Sequence, residues 1–463
     1  MGSISRHSSG TSGGRKLFLL AVLALNLSAI CSADAQNSKS LFPLKISADR
    51  RHLTDNTGTP FLYNADTSWM LFLNLTQEEA LVYLADRKSK SFNVIQVILT
   101  GFADSDGKKP VNRYERKPFL EDENFSVPDP EYMNHVERVI KAADSLGLAL
   151  NIAPLWAGCC GEGWTGEGKA MDKNGSAGNQ KFGEYLGKRF GKYNNVMWIM
   201  GGDNDPGSDK ENYRALALGL KKNAPQQLIT YHAASSHSST DVWQNETWLD
   251  FSIVYTYFRG FNKAWNKNQP DVYEVSLKEY AKTPLKPFIL GESTYEGEHD
   301  AWGSALQVRK QAYWVILSGG TGNAYGSPLW KAGPDWRDYL NLPGAASLKN
   351  FYSFFTSLPW EKLVPDSTNK VAVSGMGTFA TNNFAVTAIA NDKSFCVSYL
   401  PGPRTIRIDL TQLKTNRPTA TWFNPETGEK KARKSLTARR ITPFTPPKGK
   451  HDWLLVIAGS GKF

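Results

Sequence analysis

Two acidic residues in this chain close short apolar runs directly behind glycine: Asp203 in Gly201-Gly202-Asp203-Asn204, and Glu292 in Gly291-Glu292. A pair of carboxyl groups is the apparatus for cleaving a glycosidic bond. One protonates the leaving oxygen while the other attacks the anomeric carbon or activates water. The preceding glycines let backbone and substrate approach closely. Neither residue carries that reading alone. An aspartate after a strand is more often a helix cap, and Asn204-Asp205-Pro206 reads equally well as a turn. Glu296 and Glu298 follow Glu292 closely and are its rivals, less favoured because they lie farther from the apolar run.

A catalytic pair 89 positions apart (292 minus 203) needs a fold that brings its members together. Apolar runs suited to buried parallel strands occur at residues 61–65, 94–99, 148–153, 196–200, 228–231, 251–255, 288–290 and 322–325. Between them lie helix-like stretches: 76–89, opened by Thr76 with Glu79 three residues on, 131–146, stopped by Gly147, then 181–190 and 301–317. Eight strands alternating with helices predict an α/β fold, a (β/α)8 TIM barrel, whose site forms at the carboxyl ends of the strands. A doubly wound sheet would carry a Gly-rich loop after its first strand, and Asp66-Thr67-Ser68-Trp69 is not one.

Runs four and seven end in Asp203 and Glu292, on opposite sides of the expected barrel mouth. The other run ends supply candidates for binding substrate: Asp66 and Trp69, Gln96, Trp156, Asn204, His232, Tyr255, Tyr325 and Trp330. Aromatic rings offer flat apolar faces to sugars, with polar tips for hydroxyls. Each candidate has an ordinary alternative. The tryptophans can be core, His232 a satisfied structural histidine, Asp66 a helix cap, and Tyr255 and Tyr325 packing.

Ahead of the barrel, Asp55-Asn56-Thr57-Gly58 marks a hairpin. Beyond residue 360 the pattern becomes all-β, with strands expected at 371–373, 378–380, 384–390, 395–399, 405–409, 419–423 and 453–457. The division expected is a signal peptide at 1–35, a barrel with its hairpin at 41–360, and a C-terminal β-sandwich at 365–463. At the N-terminus, Arg15 and Lys16 precede an apolar run at 17–30 and a small-residue site, Ser32-Ala33-Asp34-Ala35-Gln36. That order fits a secretory signal, so the protein is expected to be secreted or periplasmic, without stable membrane insertion once the signal is removed.

The 463 residues are 41% hydrophobic and 21% charged, as in soluble globular proteins. The formal charge of +10 is scattered except at Lys430-Lys431-Ala432-Arg433-Lys434, so no nucleic-acid partner is expected. Of four cysteines, Cys31 would leave with the signal, while Cys159, Cys160 and Cys396 form no zinc spacing. H-E-x-x-H does not occur, and the G-x-S-x-G match Gly10-Thr11-Ser12-Gly13-Gly14 falls in the expected signal peptide, which argues against a peptidase. No metal or organic cofactor is called for. Asn74, Asn124, Asn174 and Asn245 begin glycosylation sequons.

The chain resembles the apiosidase-like glycoside hydrolases, a clan A barrel family with a C-terminal β module of the collagen-binding type. The likeness runs through Asp55-Asn56-Thr57-Gly58-Thr59-Pro60-Phe61, Asp66-Thr67-Ser68-Trp69 and Phe92-Asn93-Val94-Ile95-Gln96. It continues in Trp198-Ile199-Met200-Gly201-Gly202-Asp203, Thr230-Tyr231-His232, Gly291-Glu292 and Ala324-Tyr325-Gly326, then Trp422-Phe423-Asn424-Pro425-Glu426-Thr427-Gly428 and Asp452-Trp453. The resemblance implies a retaining hydrolase acting on plant or microbial polysaccharide, with Asp203 as acid/base and Glu292 as nucleophile. It departs from most clan A enzymes in lacking their Asn-Glu pair on strand four. Ser327 stands where a histidine is usual, Ser293-Thr294 replaces a Pro-containing turn, and residues 252–257 differ at the end of strand six. The competing class is a non-catalytic protein that binds carbohydrate or matrix polymer, which gives no reason to keep both carboxylates.

Overall fold

A computed structural model describes residues 41–102, 111–158, 166–257, 269–298, 303–415, 417–436, 440–449 and 451–459. The leader, Cys159, Cys160 and most of the Gly-rich stretch after them lie outside these residues.

The chain enters through three short antiparallel strands, β1 (Lys45–Ile46), β2 (Leu53–Thr54) and β3 (Pro60–Phe61). Asp55 makes the turn. Its Oδ1 accepts from the Thr57 and Thr59 amides at 2.8 and 3.0 Å, and Gly58 takes φ 90°. Phe42, Leu44, Leu53 and Phe61 join the cluster that fills the barrel.

The barrel strands are β4 (Tyr63–Thr67), β5 (Val94–Ile98), β6 (Ala149–Ala153), β7 (Val196–Gly201), β8 (Ile229–His232), β9 (Ser252–Tyr255), β10 (Phe288–Glu292) and β11 (Gly322–Tyr325). They pair in parallel in the order β8-β7-β6-β5-β4-β11-β10-β9. Every residue in them is buried, as parallel strands covered on both faces require. The seam between β8 and β9 is closed by a side chain. The Ser239 hydroxyl donates to the Tyr231 carbonyl and accepts from the Ile253 amide at 2.7 Å. The Thr230 hydroxyl also donates to the Phe251 carbonyl at 2.8 Å. This is the predicted TIM barrel.

The helices form where their caps predict. Thr76 and Glu79 make a reciprocal capping box at the head of Gln77–Ser89, and Asp129 caps Pro130–Ser145. The stretch expected at 181–190 is the end of a longer element, Gly168–Phe190, broken at Gly175, where φ is 60° and ψ 178°.

The tail forms two sheets. Six strands run in the order β12 (Leu363–Pro365), β14 (Val386–Ala390), β15 (Phe395–Leu400), β20 (Trp453–Gly459), β17 (Pro418–Phe423) and β18 (Lys430–Ser435). The second sheet is β13 (Ala372–Ser374), β16 (Ile406–Asp409) and β19 (Ile441–Phe444). Residues of both sheets, among them Ile406, Ile408, Trp422, Trp453 and Ile457, share one apolar cluster, so the tail is a sandwich. Two expectations change here. Residues 378–380 form no strand, and Phe379 and Ala380 make a bend, with Ala380 at φ 61°. The basic run beginning at Lys430 is an edge strand, where lysine deters pairing with another chain.

From Phe42 on, barrel and tail form one compact unit. Tyr313 and Trp314 of the helix Ala305–Leu317 lie in the same apolar cluster as Val386, Val397 and Tyr399 of the tail. Tyr313 stacks on Tyr399 with ring centroids 5.1 Å apart. Arg309 grips Asp452 with both arms, Nε–Oδ2 at 3.1 Å and Nη2–Oδ1 at 2.9 Å, and the Tyr399 hydroxyl donates to the same carboxylate at 2.9 Å. Both charges are buried, at 6% and 0% side-chain exposure. Removing one therefore strands the other without solvent. Asp452→Ala is expected to cost about 3–5 kcal/mol in equilibrium urea unfolding; a loss below about 1 kcal/mol would show that the tail does not brace the barrel through this pair.

Candidate active site

The loop after β7 is built by backbone geometry. Gly201, Gly202 and Asp203 all take positive φ, at 81°, 130° and 56°. For the aspartate this is a sparsely populated conformation that the surroundings must hold. The His232 ring helps: its Nδ1 accepts the Asp203 amide at 3.3 Å. Tyr231 donates to the Asn204 carbonyl at 2.8 Å, and Asp205 accepts from the Ala234 amide at 3.1 Å and pairs with His237 at 2.7 Å. A Cβ on Gly202 would lie 2.3 Å from the Trp156 indole, so glycine there makes room for the aromatic wall.

Glu292 reaches the same place from β10 through a bulge, where the register with β9 shifts between Leu290 and Glu292. One side-chain oxygen of Asp203, one of Glu292 and a ring nitrogen of His232 lie within 4.8 Å of one another. The aspartate is partly exposed at the mouth, whereas the glutamate and histidine are buried. Trp156 and Tyr255 hydrogen-bond the Asp203 carboxylate. Tyr257 donates to Glu292 Oε1 at 3.3 Å, Tyr295 also serves this carboxylate, and Trp69 Nε1 donates to the Tyr295 hydroxyl at 3.0 Å. Among the described residues, Asp203 Oδ1 and Glu292 Oε2 have no hydrogen-bond partner. Each carboxyl group thus keeps one oxygen unspent.

The electrostatics follow from burial. Desolvation, reinforced by the Glu292 charge, pushes Asp203 up to about 7 against its donors. Desolvation, with the Glu298 charge adding, pushes Glu292 up to about 8 despite Tyr257 and Tyr295. Near neutral pH the pair holds about one proton between its members. Burial lowers the pKa of His232, so the ring is neutral there. With Nδ1 accepting from Asp203, the proton sits on Nε2, 3.2 Å from Glu292 Oε2 but out of line for a hydrogen bond. The three groups have the spacing of a cation site, but a protonated Nε2 cannot be a metal ligand.

Of the predicted residues, Asp203, Glu292, Trp69, Trp156, His232 and Tyr255 converge. Trp69 and Trp156 pack with centroids 4.7 Å apart, and His232 lies 4.8 Å from Tyr255. Both tryptophans are nearly fully buried, so they form walls rather than open platforms. Trp330 is half-buried and donates to Glu298 at 2.7 Å. Asn204 flanks Asp203 through its backbone contact with Tyr231.

Three candidates face elsewhere. Asp66 is buried against the outer helices, accepting from Tyr83 at 2.5 Å with Arg87 3.5 Å away. Tyr325 donates to Glu296 at 2.6 Å, and that glutamate also accepts the Gly344 amide at 2.8 Å, which gives this rival of Glu292 a structural role. Gln96 is fully buried inside the barrel and spends its amide on protein partners. Strand alternation sends adjacent residues to opposite faces, and a run end alone does not say which face is inward. Tyr257 and Tyr295 are the residues that sequence reasoning missed. The spacing of two from Tyr255 could have found the first; nothing marked the second.

Residues 47–362 match the family model described as "Apiosidase-like, catalytic domain", and residues 376–458 match "Putative collagen-binding domain of a collagenase". No curated protein matches the chain. A solved structure described as "Glycoside hydrolase" is similar at 23% identity and a TM-score of 0.80, over 92% of this chain and 100% of that one. A glycoside hydrolase family 5 protein of Bacteroides vulgatus is similar at 23% and 0.80, over 91% and 96%. Identities this low carry the fold and no more.

Gly202→Ala tests the construction of the loop. The added methyl must displace Trp156 and hold φ near 130°. It is expected to cost about 1–3 kcal/mol in stability and to change the near-ultraviolet circular dichroism of the buried tryptophans. An unaltered spectrum would show that the loop does not depend on glycine.

Proposed function

The chain belongs to the apiosidase-like glycoside hydrolase family, and from that premise we propose that it is an exported, retaining enzyme cleaving pentofuranosyl or related linkages in plant or microbial polysaccharide. The observation that carries the mechanism is the approach of the Asp203 and Glu292 carboxylate oxygens to within 4.8 Å. Retaining enzymes hold their carboxyl groups about 5–5.5 Å apart, whereas inverting ones leave about 6.5–9.5 Å for a water.

In this reading Glu292 Oε2 attacks the anomeric carbon while Asp203 Oδ1 delivers its proton to the departing oxygen. Water then enters in the leaving group's place. Asp203 takes a proton from it as it attacks, and the bond to Glu292 breaks with the free carboxylate restored. The reacting form carries the proton on Asp203 although burial raises Glu292 further, and the Tyr257 and Tyr295 hydroxyls support that form by donating to the ionised glutamate. Positive charge developing at the anomeric carbon further favours an ionised neighbour. The tail serves mainly as a brace, and the leader directs export.

Asp203→Ala and Glu292→Ala, once shown to be folded, are each expected to lose about 10²–10⁴-fold or more in kcat/KM on the polysaccharide that wild type hydrolyses. Azide should restore Glu292→Ala by attacking from the vacated face, giving a glycosyl azide of inverted configuration. Full activity in either variant overturns that residue's role. Polymer binding with no sugar released from a broad panel would favour the adhesion reading.

The pH profile of kcat/KM is expected to be bell-shaped and centred near neutrality, well above the roughly pH 4 range of unperturbed carboxyls. On the acid side Glu292, pushed up to about 8, gains a proton and cannot attack. On the alkaline side Asp203, pushed up to about 7, loses its proton and cannot donate. The two limbs therefore belong to the pair as a whole. A profile flat from about pH 5 to about pH 9 refutes the one-proton pair.

A further inference from the structure

Gln96 projects from β5 into the barrel interior, and its Nε2 donates at 2.8 Å to the carbonyl of Gly291, the residue immediately before Glu292. Strands β4 and β11 separate β5 from β10 in the sheet order, so this bond crosses the interior instead of following a ladder. We infer that Gln96 is a positioning residue for Glu292: it holds the peptide plane between residues 291 and 292 and thereby sets the direction in which the carboxylate leaves β10. The inference rests on Glu292 being the nucleophile.

The bulge makes such a strut necessary. A bulged residue is left out of regular pairing, so its peptide plane is free to tilt unless something else holds it. Gly291 has little room to shift sideways, because a Cβ there would lie 2.5 Å from Ile253. Gln96 fixes the remaining freedom.

The strut is itself held in one orientation. Gln96 Oε1 accepts from the Tyr63 hydroxyl at 3.2 Å, and Nε2 also reaches Thr67 Oγ1 at 3.3 Å. The Tyr63 oxygen accepts in turn from Asn151 Nδ2 at 3.1 Å. Tyr63, Gln96 and Asn151 are fully buried, and burial pushes the Tyr63 phenol far up, so it remains a donor at working pH. Flipping the Gln96 amide would set its oxygen against the Gly291 carbonyl and its NH2 against a phenol that is already donating. Donors and acceptors therefore match in one direction only, from β6 through β4 and β5 to the nucleophile strand.

The test compares three variants of the full chain on an aryl glycoside that wild type hydrolyses, with rates per folded enzyme. Gln96→Leu removes the donor while keeping much of the volume. Its kcat is expected to fall roughly 10- to 100-fold, as a small misplacement of a reacting group does, with KM within about threefold and the acid limb of the pH profile shifted. Gln96→Glu, buried and therefore protonated, restores a donor to the Gly291 carbonyl and should recover most of kcat.

Asn93→Leu supplies the structural control. Asn93 is another buried amide, bonded to the Leu62 carbonyl at 2.8 Å and the Asn64 amide at 2.9 Å, away from the nucleophile. It should lose stability without losing kcat. Unchanged kcat and pH profile in Gln96→Leu, or an equal fall in Asn93→Leu, overturns the strut. Should Gln96→Leu not fold, Gln96→Glu decides: a kcat collapse in that folded variant also overturns it. Glu292→Ala run alongside separates the two claims. Activity surviving there sinks the nucleophile assignment and the strut with it. Activity lost there but untouched in Gln96→Leu sinks the strut alone.

Discussion

The barrel mouth depends on one stretch of backbone, Gly201-Gly202-Asp203, in which three successive residues hold positive φ. A strand that continued regularly would carry Asp203 away from β10. The reversal of hand turns the chain inward, and the missing Cβ at Gly202 lets Trp156 lie directly beneath it. An aspartate in this conformation is strained by about 1–3 kcal/mol. The strain is offset locally, because the Asp203 amide bonds to His232 and the loop beyond is pinned through Asp205. The same contact fixes the His232 tautomer and points its remaining N–H toward Glu292. Backbone shape, ring orientation and the charge environment of the glutamate are thus one arrangement.

Two carboxyl groups this close, and this short of water, cannot both stay ionised near neutrality. Among the described residues, the side chains that donate to them are tyrosine hydroxyls and an indole. Among the described residues, Arg87 and Arg309 are committed to carboxylates outside the mouth. A fixed cation would lower both pKa values and release the proton that acid catalysis needs. Neutral donors stabilise charge on whichever group bears it and leave the proton in the pair.

The alternation of apolar runs with capped helices made the barrel legible in the sequence, since parallel strands covered on both faces are uniformly apolar and the caps are local. The place of Asp203 and Glu292 at the mouth was legible because glycine follows each apolar run and lets the backbone leave regular strand geometry before the acid. Orientation was the part hidden. Asp66 and Tyr325 sit at run ends too, but on the outward face, where they meet Arg87 and Glu296. Tyr295 reaches the site through a loop whose path no periodicity records. In the tail, residues 430–435 read as a charge cluster because an edge strand needs no apolar alternation on its solvent side.

The helix Ala305–Leu317, which packs behind β10, is buried from Gln307 to Leu317 except at Lys310, with no open solvent face of its own. Strands made long after it, including β14 and β15, supply part of its cover, and Arg309 waits for Asp452, eleven residues from the end of the chain. A ribosome therefore finishes the barrel's sequence well before the barrel can finish folding. Asp203 and Glu292 lie within the first two thirds of the chain, yet the cover of the helix behind β10 comes with much later strands. Assembly is thereby tied to completion: a polypeptide cut short after the barrel would expose an apolar helix face instead of forming a smaller working enzyme.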